Sequence, residues 1–435
     1  MSAQSPAEQG GSTAAVIEEP ANPPEHPKRF NMSWAISLFG TAVGAGILLL
    51  PISAGAGGVW PLLIITIIIG PLAFLAHRAL SRFVLSSRVP GSDITMVAEQ
   101  NYGRVWGMVI TIVYFLAILP FVLVYGVAIT STVDSFLVNQ LHGPEIPRWL
   151  LALVLIGAMM AVMFFGLNLM LKVTSFLVWP LIAALAFFTL YLIPMWDLSA
   201  FSARPTVGSL VFSVWLSIPV LVFAFSHTPA ISQFSLSMRD AYGDRAEQEA
   251  SRTLRVANIL LVIFTMAFVW SCVLAMGPSK LAEARAQNLT VLSYLANDTG
   301  VAIIGIMGPI IAICAITSSF FGHYLGVAEG VVAMIRDSAP RFTERLGEKG
   351  VKYLVAAIIF AIVYVTAVVN PQILDLIESM SGPVLAAILF VLPIVGIYTI
   401  PGLTKYRRDY LRNGFVLIFG LIAISGVLFT LFTGA

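Results

Sequence analysis

Gly40-Thr41-Ala42-Val43-Gly44-Ala45-Gly46 lies inside the first apolar run of the chain, which extends from Ser33 to about Ala56. A run of that length crosses a bilayer as a helix. Three glycines and a β-branched threonine in its first half weaken the helix and let backbone approach a ligand closely. Unwound backbone at membrane depth is tolerated only where protein buries it or it lines a cavity. The stretch therefore predicts a broken first helix with a binding site at mid-membrane. A helix-packing face is the competing reading, because Gly40 and Gly44 also form a small-xxx-small pair.

The surrounding composition fits a membrane setting. Of 435 residues 58% are hydrophobic and 11% charged, with a mean hydropathy of +0.92. A soluble domain carries about 25% charged residues. An all-α polytopic membrane protein with a single transmembrane domain over 30–435 accounts for these values. Residues 1–29 form a cytoplasmic tail whose first 27 positions hold Glu8, Glu18, Glu19 and Glu25, several prolines and no Lys or Arg. That composition predicts disorder. Cys272 and Cys314 both sit in apolar runs and offer neither a disulfide framework nor metal-site spacing. No HExxH or P-loop is present, and the chain is not expected to be an enzyme. No cofactor, nucleic acid or obligate protein partner is expected. The partners are the lipid bilayer and a small solute.

The apolar pattern divides into eleven spans, roughly 34–56, 59–85, 105–138, 149–166, 170–194, 208–236, 254–277, 302–335, 352–369, 373–399 and 413–432. With the N-terminus inside, only Arg148, Arg204, Lys280 and Arg285 of the 24 bases fall outside. The other 20 are cytoplasmic, as the positive-inside rule requires. A missed span would scramble that split. The loop 238–253 reads as a short surface helix, and 278–300 as a polar, partly helical cover over the outer mouth.

The sixth span is the second interrupted one, with Ser217-Ile218-Pro219 early and Ser226-His227-Thr228-Pro229 later. Proline removes a backbone donor and opens the preceding turn. Paired breaks in spans one and six, at matching positions of two halves, point to a transporter's central site. The eighth span carries Thr317-Ser318-Ser319, His323 and Glu329, polar groups that should face the bundle interior. Helical spacing allows Ser319, His323 and Glu329 to share a network. The hydroxyls could equally bond back to their own helix. In the tenth span Asp375 and Glu378 lie one turn apart before Gly382-Pro383, as a solvated rim or an outer gate.

Several stretches resemble the hydroxy/aromatic amino acid permease family, within its serine and threonine branch. They are Gly40–Pro51 (GTAVGAGILLLP), His77–Asp93 (HRALSRFVLSSRVPGSD), Ser226–Ser232 (SHTPAIS), Leu292–Asn297 (LSYLAN) and Gly322–Gly330 (GHYLGVAEG). The similarity runs from about residue 30 to the end. It implies the amino acid–polyamine–organocation superfamily and a leucine-transporter (LeuT-type) fold. Such a fold has two inverted five-helix repeats, here about 30–195 and 205–400, with an extra helix at about 411–433. It implies a multi-pass protein of the bacterial cytoplasmic (inner) membrane that imports serine or threonine by symport.

The resemblance also assigns roles. Backbone N–H groups of the first break, over Gly40, Thr41, Gly44, Ala45 and Gly46, would receive the substrate carboxylate with help from a half-helix dipole. Carbonyls around Phe223 to His227 would receive the ammonium. Ser226, His227, Thr228 and Thr41 are the candidates to read a substrate hydroxyl. A site built to bond a hydroxyl rejects analogues lacking it.

The coupling ion stays open between H+ and Na+. The serine and threonine members of the family typically carry a lysine where this chain has Ser318, which weakens the proton case. By analogy with sodium-coupled relatives of the fold, carbonyls of Gly40, Val43 and Cys314 with hydroxyls of Thr317 and Ser318 would give five oxygens, suited to a hard cation. His227, His323 or Glu329 could instead titrate, the last two as a proton relay. A passive facilitator, an exchanger, or a permease for another neutral or aromatic amino acid are the alternatives.

Overall fold

A computed structural model of the chain describes residues 24–165, 167–298, 300–376 and 382–433. Among these, all regular structure is helical. The helices are α1 (Pro27–Ala42), α2 (Ala45–Ala56), α3 (Val59–Val84), α4 (Ile94–Ser135), α5 (Arg148–Phe164), α6 (Leu167–Leu192), α7 (Val207–Ala224) and α8 (Ile231–Tyr242). They continue as α9 (Ala246–Ala286), α10 (Val291–Asp298), α11 (Ala302–Ser338), α12 (Pro340–Val369), α13 (Ile373–Leu376), α14 (Gly382–Ala386), α15 (Leu392–Thr399) and α16 (Tyr410–Thr433).

Six described helical stretches are long and apolar enough to cross a membrane, or seven when the bent α1–α2 pair counts as one span. Arg148–Phe164, Val384–Thr399 and Tyr410–Gly426 are apolar but shorter. Two features account for part of the difference from eleven among the described residues. At ~1.5 Å per residue a helix the length of α5 reaches only about 25 Å, short of a ~30 Å hydrocarbon core. In addition, one of the six stretches, Val207–Ala286, contains α7, α8 and α9, which the apolar pattern assigns to two spans.

Helix ends meet on two opposite faces. On one, Arg82 pairs with Glu247 at 2.7 Å and lies over the Tyr406 ring at 3.8 Å, and Arg104 donates to the Asp337 carbonyl. Tyr242 donates to Asn31 there at 2.7 Å, which ties α8 to α1. Residues 238–253 are thus not a free surface helix: α8 ends at Tyr242, and α9 starts at Ala246 with Glu247 and Glu249 in its first turn. On the other face Lys280 pairs with Asp298 at 2.6 Å and Gln140 donates to Asn297. There the expected cover forms from the end of α9, kinked at Gly277 (φ 68°), and from α10.

The buried core is one continuous cluster that includes Phe39, Tyr114, Phe121, Tyr125, Phe223, Phe234, Phe268, Phe320 and Phe321. α11 runs through its middle and packs most extensively on α4, with further contacts to α1, α6, α10 and α12. Glycines on one stripe of α11 permit close approach. A Cβ at Gly322 would meet the Thr41 side chain at 2.7 Å, and one at Gly326 would meet Pro229 at 2.7 Å.

Candidate functional site

The first break falls where the glycines predict it. α1 ends at Ala42, Val43 leaves the helical region (φ −80°, ψ 86°), and Gly44 is extended (φ −136°, ψ −148°) before α2 begins. The two halves meet at 53°. The Gly44 N–H turns back to the Ala42 carbonyl at 3.0 Å instead of the Gly40 carbonyl that an unbroken helix would offer it. Pro51 sits inside α2 without breaking it.

The second break differs from expectation in one respect. α7 continues through Pro219 to Ala224, so the Ser217-Ile218-Pro219 stretch does not interrupt the chain. The helix stops at Phe225–His227, and a short 3-10 turn over Thr228–Ala230 leads into α8. Pro219 is tolerated because a proline costs its helix one donor and a local bend, which neighbouring helices absorb in a bundle. Two prolines ten residues apart look alike in sequence. Only the second follows a Ser-His-Thr run whose side chains can hold non-helical backbone.

The two breaks lie against each other. A Cβ at Gly46 would stand 2.8 Å from Phe223 and 3.1 Å from the Ala224 Cα. α11 closes the third side. The Ser319 hydroxyl donates to the Thr41 carbonyl and approaches the Tyr125 hydroxyl at 3.0 Å. A Cβ at Gly44 would collide with Ser319 at 2.4 Å. Phe121 stacks on Phe223 (centroids 3.9 Å apart) and on His323 (4.4 Å).

The hydroxyls expected to read a substrate are already engaged. Thr41 donates back to the Ser37 carbonyl at 2.9 Å, and Ser226 and Thr228 bond each other at 2.9 Å. Ser226 Oγ also accepts the Thr228 N–H at 3.3 Å, so the pair closes the turn. The imidazoles are different. His227 and His323 are fully buried, and both ring nitrogens of His227 and Nε2 of His323 have no hydrogen-bond partner. His323 Nδ1 sits 2.9 Å from the Ser319 carbonyl, which makes it a donor and leaves Nε2 as an acceptor.

A third histidine, His77 on α3, joins this group. It stacks on His227 with centroids 3.6 Å apart and accepts the His227 N–H at 3.1 Å. The sequence marks it only as the first residue of the His77–Asp93 stretch that resembles the permease family; no periodicity distinguishes a site histidine from a packed one.

Glu329 does not join Ser319 and His323. It accepts from Ser232 at 3.1 Å, and Ser232 in turn accepts the Ile94 N–H. Six residues along a helix is ~9 Å, enough to carry Glu329 to the end of the bundle where α4 and α8 meet. In the expected cation set, Ser318 is fully buried and donates to the Ala315 carbonyl at 3.1 Å, while Thr317 and Cys314 are half-buried. No cluster of His, Cys, Asp or Glu suited to a metal ion occurs among the described residues. The side chains of Ala45 and Asp375, and all of Glu378, lie outside the described residues.

A polar cavity of about 440 Å³ opens on the face opposite Glu329, lined by Asp134, Glu145, Arg148, Asn288 and Asn297 among others. Arg148 spans its wall, donating to the Ala367 carbonyl at 2.7 Å and to Ser131.

Comparison with known proteins agrees with this architecture. Residues 29–430 match the model of the tryptophan/tyrosine permease family. The serine transporter SdaC of Escherichia coli K12 is 44% identical over 412 residues, covering 93% of this chain and 96% of its own. The threonine/serine transporter TdcC of Escherichia fergusonii is 41% identical over 428 residues, with the same coverages of 93% and 96%. Among solved structures, that of MhsT in complex with L-phenylalanine superposes with a TM-score of 0.60 at 16% identity, covering 93% of this chain and 98% of the other. That likeness carries the fold alone, which is of the LeuT type. With the family model spanning nearly the whole chain, this multi-pass membrane protein belongs to the tryptophan/tyrosine permease family and is a permease rather than an enzyme.

Proposed function

We propose that the chain is a secondary active symporter of the cytoplasmic membrane that imports serine, threonine or both with a cation by alternating access. One observation carries the reading: the Val43–Gly44 and Phe225–His227 breaks lie against each other and against α11. Broken half-helices offer unpaired N–H and C=O groups, the complement of an amino acid zwitterion. The names of the relatives supply the substrate class.

On this reading the residues before α1 lie on the cytoplasmic side, and the tail gives way to α1 at Pro27 rather than ending at residue 29. Spans one to five and six to ten are inverted repeats, and α16 is the appended eleventh helix. The carboxylate meets the N-terminal end of α2 and the ammonium meets carbonyls at the end of α7. The unpaired imidazole nitrogens of His227 and His323 are better placed than Ser226, Thr228 or Thr41 to receive a substrate hydroxyl, because those hydroxyls are already bonded.

Either cation is sufficient. One charge crossing ~100 mV supplies ~2.3 kcal/mol and a tenfold ion gradient ~1.4 kcal/mol, which together support about 500-fold accumulation. The freed Gly40 carbonyl and buried Ser318 favour sodium, while the unpaired imidazoles of His227 and His323 favour a proton. Radiolabelled serine uptake into proteoliposomes decides, with a sodium gradient and a proton gradient imposed separately. Accumulation with one alone identifies the ion. Equilibration without accumulation under either would overturn symport.

A further inference from the structure

We infer that His77, a residue with no role in the binding scheme above, is the positioning residue that holds the α7–α8 break in shape, and that it does so only as a neutral imidazole. The inference rests on reading that break as the substrate site. Its basis is the pair of bonds His77 makes. Nδ1 lies 2.8 Å from the Ala73 carbonyl, four residues back on α3, and must donate to it. Nε2 lies 3.1 Å from the backbone nitrogen of His227 and must accept from it. Together they specify one tautomer, protonated at Nδ1 and bare at Nε2.

The bond matters because of where the donor sits. His227 is non-helical (φ −121°, ψ 26°), so its N–H is one of the groups that leaving the helix exposes. A buried N–H without an acceptor is costly in a membrane protein. α3 supplies the acceptor from a side chain 150 residues earlier in the chain. The parallel rings, 14° apart, fix the His227 side chain over His77 at the same time.

Protonation would reverse the contact. A proton on Nε2 turns the acceptor into a donor facing another donor, and the break loses its tether. Among the described residues, the titratable groups that face His77 are His227, stacked on it, and His323 beyond that ring. The small cavity beside His77 is lined by apolar groups, including Val222 and Phe225 from α7 and Leu389 and Phe390 from the 387–391 turn. No carboxylate lines this space to offset a positive charge on His77.

The test is serine counterflow in proteoliposomes, with the same pH on both sides so that no proton gradient drives exchange. His77→Phe keeps a flat ring and removes the acceptor; His77→Gln keeps an acceptor that cannot be protonated. At pH 7.5 the Phe variant should raise the half-saturating serine concentration about tenfold or more, and Gln should recover most of that loss. Between pH 7.5 and 5.5 wild type and the Gln variant should both keep their apparent affinity, because a buried ring with no offsetting carboxylate stays neutral. A Phe variant indistinguishable from wild type would overturn the inference. So would equal impairment of Phe and Gln with both proteins folded by thermal shift. Should both variants misfold, the tautomer of wild-type His77 decides by 15N NMR, and an Nε2 found protonated at pH 7.5 refutes the neutral-imidazole requirement. Absence of serine counterflow by wild type would instead refute the substrate reading itself.

Discussion

Replacing Gly44 by alanine tests the contact on which the candidate site depends. The added Cβ would stand 2.4 Å from the Ser319 Cβ, 2.5 Å from its Oγ and 3.1 Å from Tyr125 Cε1. The first two are shorter than real carbon contacts allow, so Ser319 must move. It then gives up its bonds to the Thr41 carbonyl and the Tyr125 hydroxyl. Overpacking costs about 1–3 kcal/mol, and each lost bond about 0.5–1.5 kcal/mol. The low end of the sum, about 2 kcal/mol, corresponds to roughly thirty-fold in serine affinity. The second substitution separates steric from chemical effects. Ser319→Gly removes both colliding atoms, whereas Ser319→Ala removes only Oγ and leaves Cβ in place. Combined with Gly44→Ala, Ser319→Gly should therefore restore about 1 kcal/mol or more relative to additivity. Ser319→Ala should restore little. The assay is half-saturating serine in proteoliposome uptake, with melting temperature as a control for folding. Gly44→Ala within threefold of wild type, or equal rescue by both partners, would show that the α1 break does not bear on α11 in this way.

Thr317→Ala and Ser318→Ala should each raise the sodium concentration for half-maximal uptake at least threefold, with little change in melting temperature, because Ser318 bonds only its own helix at Ala315. If both leave uptake and its ion dependence as in wild type, sodium is not bound there. Glu329→Ala should free Ser232 and the N-terminus of α4, lowering the melting temperature, while Glu329→Gln keeps an acceptor and should stay near wild type; equal loss in both would mean that the charge matters rather than the bond. On the opposite face, burial and the Glu283 carboxylate push the Tyr294 phenol up to about 12. The neutral phenol is the favoured form, so this tie is fully present below its ordinary value near 10 and is lost as pH rises through about 12. Tyr294→Phe should flatten the alkaline fall in melting temperature, and an unchanged slope would exclude the tie.

Much of this was legible in the chain itself. The glycines at 40, 44 and 46 located the first break, because a residue's cost in a helix is a local property. The run Ser226-His227-Thr228-Pro229 located the second for the same reason, although Pro219 gave an equal signal and proved silent. The distribution of bases placed helix ends on two faces, because hydration of charge acts on each loop separately. What sequence spacing could not decide was which polar groups meet. Ser319, His323 and Glu329 look equivalent on one helix, yet the first two face the breaks and the third bonds Ser232. Ser226 and Thr228 bond each other across the turn, a pairing that spacing alone does not announce. His77 had no distinguishing pattern, because its partner is a backbone N–H on another helix. Local propensity and hydrophobicity are written residue by residue, so the sequence determines where helices run and where they break. Pairing of buried donors with acceptors depends on contacts between distant segments, and only the tertiary structure decides it.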